Sequence, residues 1–193
     1  MLEDKDTLML FDGAGVLVSK PKGLGLDTRA GRPILNEILP EPQESERRKL
    51  DLLHTLHGAR WEARKPHTSG YNCAGHVWAS RRTSILEESA IQLIFADDGY
   101  RTLRPGESVV QGDLVLYWNR TTGGQESWMH VGVVSELRRE IVTDADMPVV
   151  QSGGRVPWIL SKWSVFHGEW LHRYNDAPYK WDGVRIEFWT DRP

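Results

Sequence analysis

The sequence predicts an α+β fold in which helices come first and pack on an antiparallel sheet. Apolar residues recur at helical spacing between residues 45 and 98, and strand-like segments separated by Gly, Pro and Asp turns follow from residue 114 to 189. Nine Trp and eighteen Gly among 193 residues favour short elements and tight turns over a helical bundle. Helices followed by strands along the chain are typical of the α+β class.

The composition is that of a globular protein. The chain has 24 Lys and Arg against 27 Asp and Glu, a formal net charge of −3, which excludes a strongly basic nucleic-acid binder as the default. One Cys cannot close an intramolecular disulfide, so a reducing compartment is permitted. The only apolar run near the start, Leu8 to Phe11, is too short for a signal sequence or a membrane span. We therefore expect a cytoplasmic protein with no nucleic-acid or membrane partner, although delivery to another cell or release by lysis would leave no such mark.

The first 62 residues are predicted to form an accessory segment or cap, and residues 63–193 a second domain. Leu8 to Ser19 indicates a strand or small hairpin, and the Gly- and Pro-rich stretch Pro21 to Pro33 follows it. Ser45 can cap a helix that runs to about Gly58. The apolar stripe of that helix contains Leu50, Leu53, His54 and His57, widened by Leu52 and Leu56.

Two more helices and a series of strands are predicted beyond residue 65. A loop over residues 65–71 leads into a helix that begins at or next to Cys73. In the next helix Ser84 and Glu87 form a capping box, Asp97-Asp98-Gly99 ends it, and the buried face carries Leu86, Ala90, Leu93 and Ile94. Strands are predicted at Leu114 to Trp118, Met129 to Ser135, around Val149 to Gln151, Trp158 to Trp163 and Val184 to Trp189.

Cys73 and His130 are the candidate nucleophile and general base. A thiol becomes nucleophilic when its thiolate is stabilised by a helix N-terminus or a nearby imidazolium. Cys73 lies at the start of a predicted helix, and His130 opens the predicted strand His130-Val131-Gly132-Val133-Val134. Alternation puts Gly132 on the face of His130, which leaves room there for a helix or a substrate.

Three sequence blocks in this order carry a family resemblance. They are Tyr71-Asn72-Cys73-Ala74-Gly75, Gly112-Asp113-Leu114-Val115-Leu116-Tyr117 and His130-Val131-Gly132-Val133-Val134. The blocks resemble the signatures of the NlpC-type papain-like cysteine peptidases, a superfamily that includes the CHAP amidases, and the spacing between the Cys and the His is also similar. The resemblance covers roughly Pro66 to the C-terminus and says nothing about residues 1–60.

The resemblance implies a papain-like core in which the Cys helix packs on the sheet and faces the His. Cys73 would attack a carbonyl, His130 would act as base and then acid, and backbone N–H groups near the Cys would stabilise the oxyanion. Tyr71 would line the oxyanion side. Asn72 and Ala74 replace the usual Asp and Ser of the family. We expect this difference to change the contacts with the substrate, on the side of Tyr71 and Asn72, more than the role of the nucleophile.

The family also uses a third polar residue to orient the imidazole, and the sequence offers no clean match to it. Ser161, on the predicted strand from Trp158 to Trp163, is the first choice, and Gln151 is the runner-up. Lys162 faces the other side of that strand by alternation, and a cation would be a poor orienter for an imidazolium.

The sequence predicts no metal site and no cofactor, because it has no second Cys and no His-Glu-x-x-His motif. The expected function is therefore cysteine-dependent hydrolysis of an amide or isopeptide bond. The resemblance suggests peptidoglycan-type peptides as the substrate and a bacterial or phage origin. The alternative is a catalytically degenerate module of the same type that binds or regulates, motivated by the unclear third residue. The oligomeric state is left open.

Overall fold

The computed structural model describes residues 9–11, 17–19, 23–57, 60–120, 126–140, 154–177 and 184–193. The fold is α+β, with few helices and a seven-stranded antiparallel sheet, as the sequence predicts. The helices are α1 (Glu44–His57), α2 (Cys73–Trp78) and α3 (Glu88–Asp98). The strands are β1 (Met9–Phe11), β2 (Leu17–Ser19), β3 (Glu62–Lys65), β4 (Arg101–Thr102), β5 (Leu114–Arg120), β6 (Glu126–Arg138), β7 (Val156–Lys162), β8 (Glu169–Arg173) and β9 (Arg185–Thr190).

The seven strands of the main sheet lie in the order β3-β8-β7-β6-β5-β9-β4, and all their pairings are antiparallel. Strands β1 and β2 form a separate hairpin, in agreement with the prediction for Leu8 to Ser19. Strands β5, β6, β7 and β9 confirm four predicted strands. The sequence reading missed the short strands β3, β4 and β8. The predicted strand around Val149 to Gln151 lies outside the described residues. The side chains of the predicted apolar stripe of α1 are also not described, except that of Leu52, which is exposed.

Helix α3 is predicted in the right region but with the wrong cap. It begins at Glu88, and its N-cap residue Glu87 makes no side-chain cap bond. Ser84 lies three residues before this N-cap, and its backbone N–H, which a capping box would bond to Glu87, donates to the carbonyl of Glu37, so the predicted capping box does not form. The predicted end is confirmed, because Gly99 adopts the left-handed conformation with a φ of 77°.

Strand alternation divides the main sheet into two faces, and this division determines the positions of the functional side chains. The helix-side face carries Leu114, Leu116 and Val131, which pack against Cys73 of α2 and, at the rim, Phe95 of α3. The far face carries apolar residues of the neighbouring strands that form a second core cluster, among them Val115, Tyr117, Ile159, Ile186 and Phe188.

Residues 28–37 of the predicted accessory segment contact α2, α3 and the segment between these helices. Ile34 is buried in one cluster with Ala74 of α2 and Ile85. The guanidinium of Arg32 forms a salt bridge with Asp97 at the end of α3. A domain boundary after residue 62 stays a prediction.

Candidate functional site

Asn72 fixes the start of α2 and so the position of Cys73. Its Oδ1 atom accepts hydrogen bonds from the backbone N–H of Gly75, at 2.8 Å, and of Ile85, at 3.1 Å. Its Nδ2 atom donates to the carbonyl of Ile85 at 2.7 Å. A side-chain oxygen that accepts from the third helical residue is a standard N-cap. The predicted helix start is therefore confirmed, and the polar atoms of Asn72 are occupied by structural bonds.

The thiol of Cys73 is buried against the helix-side face of the sheet, and the residue is 7% exposed. Burial raises the pKa of the thiol to about 11 because it disfavours the charged form. Backbone N–H groups of Val131 and Ala74 and the ammonium of Lys162 lower the pKa, but they do not cancel the effect of burial. The thiol is therefore protonated at neutral pH when no substrate is present.

A buried carboxylate, Glu169 on β8, organises the polar side chains next to α2. Its Oε1 atom accepts hydrogen bonds from the hydroxyl of Tyr71 at 2.6 Å and from Nε of Arg81 at 2.5 Å. Nδ1 of His76, one helical turn after Cys73, lies 3.4 Å from the same oxygen. Burial acts to raise the pKa of Glu169, but the nearby His76 and the hydrogen bonds from Arg81 and Tyr71 outweigh burial and leave this pKa well below its usual value.

Lys162 on β7 is the second buried charge on the helix-side face. It lies directly opposite Glu169 in the pairing of β7 with β8 and is fully buried. Its ammonium donates to the carbonyls of Thr68, at 2.7 Å, Val165, at 3.1 Å, and His167. Burial lowers the pKa of Lys162 to about 8, although Cys73 and Glu169 act in the opposite direction.

His130 lies on the far face of the sheet. It is directly opposite Tyr117 in the pairing of β5 with β6, and the next pair, Leu116 with Val131, belongs to the helix-side face that Cys73 contacts. Successive side chains on a strand point to opposite faces. The sheet therefore separates the imidazole of His130 from the thiol of Cys73. Burial holds the pKa of His130 well below its usual value, so the imidazole is neutral.

The space beside Gly132 is filled by protein. A Cβ atom at Gly132 would lie 2.4 Å from Cγ2 of Ile159 and 2.9 Å from Cβ of Ser161, both on the neighbouring strand. The glycine therefore permits close packing of β7 on β6, rather than the approach of a helix or substrate.

Ser161 lies on the face of His130, as strand alternation predicts, and its hydroxyl is 2.8 Å from Nε2 of His172. Nδ1 of His172 is 2.8 Å from the carbonyl of Arg173, which can only accept, so Nδ1 carries the hydrogen and Nε2 accepts from Ser161. Burial lowers the pKa of His172 to about 4. Ser161 thus bonds to a second buried imidazole, which the sequence reading did not select.

The structure brings together Tyr71, Asn72 and Cys73 of the predicted site. Tyr71 is bonded to Glu169, and His130 and Ser161 lie on the other face. Gln151 lies outside the described residues. The roles assigned to these residues by the resemblance stay predictions. The sequence did not indicate Glu169, and Lys162 was set aside as an orienter of the imidazole. The one available signal for both was a charged residue within a strand-like segment.

The described residues contain no group of three or more His, Cys, Asp and Glu side chains that could hold a metal ion. Among the same residues, no helix is both long and apolar enough to cross a membrane. Comparison with protein-family models, with curated proteins and with solved structures finds no match to this chain.

Proposed function

We propose that the chain is a cysteine-dependent amide hydrolase with a papain-like, NlpC-type core and Cys73 as its nucleophile. The proposed substrates are peptidoglycan-type peptides or molecules with another amide or isopeptide bond. One observation carries the proposal: the only thiol shares a buried face with two charged groups, Lys162 and Glu169, and two further titratable groups, Tyr71 and His76. Buried charges are costly to a fold, and titratable groups with perturbed pKa values concentrate at functional sites.

The chemistry would proceed in two steps. The Cys73 thiolate adds to the carbonyl carbon, the C–N bond breaks, and the base returns the thiol proton to the leaving amine. Water then attacks the thioester, which releases the acid and restores the thiol. The backbone N–H of Ala74, which favours negative charge at the sulfur, would also stabilise the oxyanion.

Two imidazoles are candidates for the base. The resemblance assigns the role to His130, which lies on the far face. Cys73 and His76 stand at i and i+3 of one helix, so their Cβ atoms are about 5–6 Å apart, and Nδ1 of His76 lies 3.4 Å from Oε1 of Glu169. A nucleophile, an imidazole one helical turn away and a carboxylate close to that imidazole are the groups that an activated nucleophile requires. The geometry therefore favours His76.

Hydrolysis of muropeptides tests the proposal. Purified wild-type protein is incubated with a muropeptide mixture, and newly released amines are identified by mass spectrometry. We expect release by the wild type, none by Cys73→Ala, and a loss of at least about 100-fold in His76→Gln, the usual scale of general base catalysis. Arg82→Ala, on an exposed turn, is the control that retains activity. A loss of activity in His130→Gln with none in His76→Gln would show that His130 is the general base.

A binding module is the second candidate function, and a specific observation favours it. The thiol of Cys73 is largely shielded from solvent, and burial raises its pKa to about 11. Calorimetry with the same muropeptides distinguishes the two candidates. Binding without cleavage, equal in wild type and Cys73→Ala, would support the binding module.

A further inference from the structure

We propose that Lys162 is the positioning residue of Cys73: its ammonium stabilises the thiolate and ties down the loop that leads into α2. This inference rests on the proposed function, because a stabilised thiolate matters only if Cys73 reacts.

Lys162 shares the face of the thiol through strand register. Val133 on β6 is paired with Leu160 on β7, and a Cβ atom at Gly132 would lie 2.9 Å from Cβ of Ser161. Val131, which precedes Gly132, and Lys162, which follows Ser161, are therefore neighbours on the opposite face. Cys73 packs against Val131 on that face. The side chain of Lys162 therefore extends from the strand next to the thiol into the space under the start of α2.

The ammonium of Lys162 connects two loops. A lysine ammonium has three N–H donors, and here it has three carbonyl acceptors, those of Thr68, Val165 and His167. Thr68 lies five residues before Cys73. The ammonium also lies 5.1 Å from the ring centre of Tyr71. Loss of this group would free the loop that leads into α2.

The three carbonyls are uncharged, so they solvate the ammonium without neutralising it. The one buried carboxylate nearby, Glu169, already binds the guanidinium of Arg81 and the hydroxyl of Tyr71. A thiolate on Cys73 would supply the missing counter-charge. Lys162 accordingly acts to lower the pKa of Cys73, and Cys73 acts to raise that of Lys162. The other titratable or charged groups that act on this pair or lie beside it are Glu41, Tyr71, His76, Arg81, His167 and Glu169.

The test is the pH profile of alkylation of Cys73, the only thiol in the chain, by iodoacetamide between pH 6.5 and 10. In the wild type we expect the rate to rise tenfold per pH unit up to about pH 8 and then to flatten. Above the pKa of Lys162 the ammonium is lost as fast as the thiolate fraction would otherwise grow.

Substitutions at Lys162 then separate its charge from its packing. In Lys162→Met the rate at pH 7.5 should fall at least about tenfold and the flattening should disappear. In Lys162→Arg, whose charge persists over the whole range, the rate at pH 7.5 should stay within about threefold of wild type and the profile should be a straight line. Lys65→Met, which removes a half-exposed cation 3.9 Å from Glu169, is the control that keeps the wild-type profile.

Folding of each variant is checked by circular dichroism. If Lys162→Met does not fold, the wild-type profile alone tests the proposal. A straight wild-type line from pH 6.5 to 10, or equal rates in wild type and folded Lys162→Met, would overturn the proposal. Alkylation needs no substrate, so its outcome is separate from that of the hydrolase proposal. A flattened profile without muropeptide cleavage would contradict muropeptide hydrolysis and leave the coupling of Lys162 to Cys73 in place.

Discussion

Tyr117 and His130 lie directly opposite each other on β5 and β6, and their ring centres are 5.6 Å apart. Tyr117 belongs to the core of the far face, and its hydroxyl donates to the carbonyl of Tyr174 at 2.7 Å. The imidazole of His130 is therefore part of a buried aromatic layer, and the sheet lies between it and the thiol of Cys73.

This arrangement predicts that His130 has little effect on thiol reactivity. We expect His130→Gln to be alkylated at Cys73 within about twofold of the wild-type rate at pH 7.5. Because burial raises the pKa of the thiol to about 11, both proteins should react at least tenfold more slowly than free cysteine. The measurement is the rate of iodoacetamide labelling, with glutathione as the reference thiol. Labelling that is tenfold slower in a folded His130→Gln would show that the imidazole activates the thiol, as the family resemblance implies.

Glu169 is expected to contribute strongly to stability above pH 4.5. Replacing it by Gln leaves Arg81 and Tyr71 without their carboxylate, and we expect the free energy of unfolding at pH 7 to fall by about 3 kcal/mol. The folded-state pKa of Glu169 lies below its unfolded value of 4.5, so its stabilisation is complete above pH 4.5 and is lost as the pH falls through the folded-state pKa.

Urea unfolding of wild type and Glu169→Gln between pH 3 and 7 measures this contribution. The stability difference should be constant at higher pH and shrink below pH 4.5. Glu88→Gln, at an exposed position at the start of α3, is the matched control and should differ little from wild type. A difference at pH 7 no larger than that of Glu88→Gln would contradict the role of Glu169.

The parts of the site that depend on local sequence could be predicted, and those that depend on strand register could not. The pattern around Cys73 correctly indicates the start of a helix, and the run after His130 correctly indicates a strand. Alternation also separates Ser161 from Lys162 correctly. The pairing of β6 with β7, and the side of the sheet that the helix covers, determine whether Ser161 or Lys162 lies toward α2. The contact of Lys162 with Thr68 spans 94 residues of sequence, so no local pattern reports it.

His172 should make the protein less stable as the pH falls from 6.5 to about 4. Its folded-state pKa is lowered by burial from 6.5 to about 4, so the neutral form stabilises the fold above pH 6.5 and this contribution is lost as the pH falls toward 4. The shift corresponds to about 3 kcal/mol. His172→Gln, which cannot titrate, should lose less stability than wild type between pH 6.5 and 4.5 in urea unfolding. Equal pH dependence in the two proteins would argue against a buried neutral His172.

We expect the smallest substitution at Gly75 of α2, to Ala, to lower the stability of the protein strongly. A Cβ atom there would lie 1.8 Å from the backbone carbonyl oxygen of Thr83 and 3.1 Å from Cβ of Tyr71. Ala in place of Gly within a helix ordinarily stabilises it by about 1 kcal/mol. Here the clash with rigid backbone should dominate, and we expect Gly75→Ala to lose about 3 kcal/mol of unfolding free energy or to fail to fold.

Gly25→Ala is the matched control, because no atom lies within 4 Å of the Cβ position there. It should stay within about 0.5 kcal/mol of wild type in thermal or urea unfolding. Because the carbonyl of Gly75 also accepts the backbone N–H of Arg81, at 3.0 Å, displacement of the Thr83 segment would pull Arg81 from Glu169. Gly75→Ala and Glu169→Gln should therefore be less than additive when combined, since both disrupt the same contact. Full additivity would mean that the close approach at Gly75 does not hold Arg81 in position.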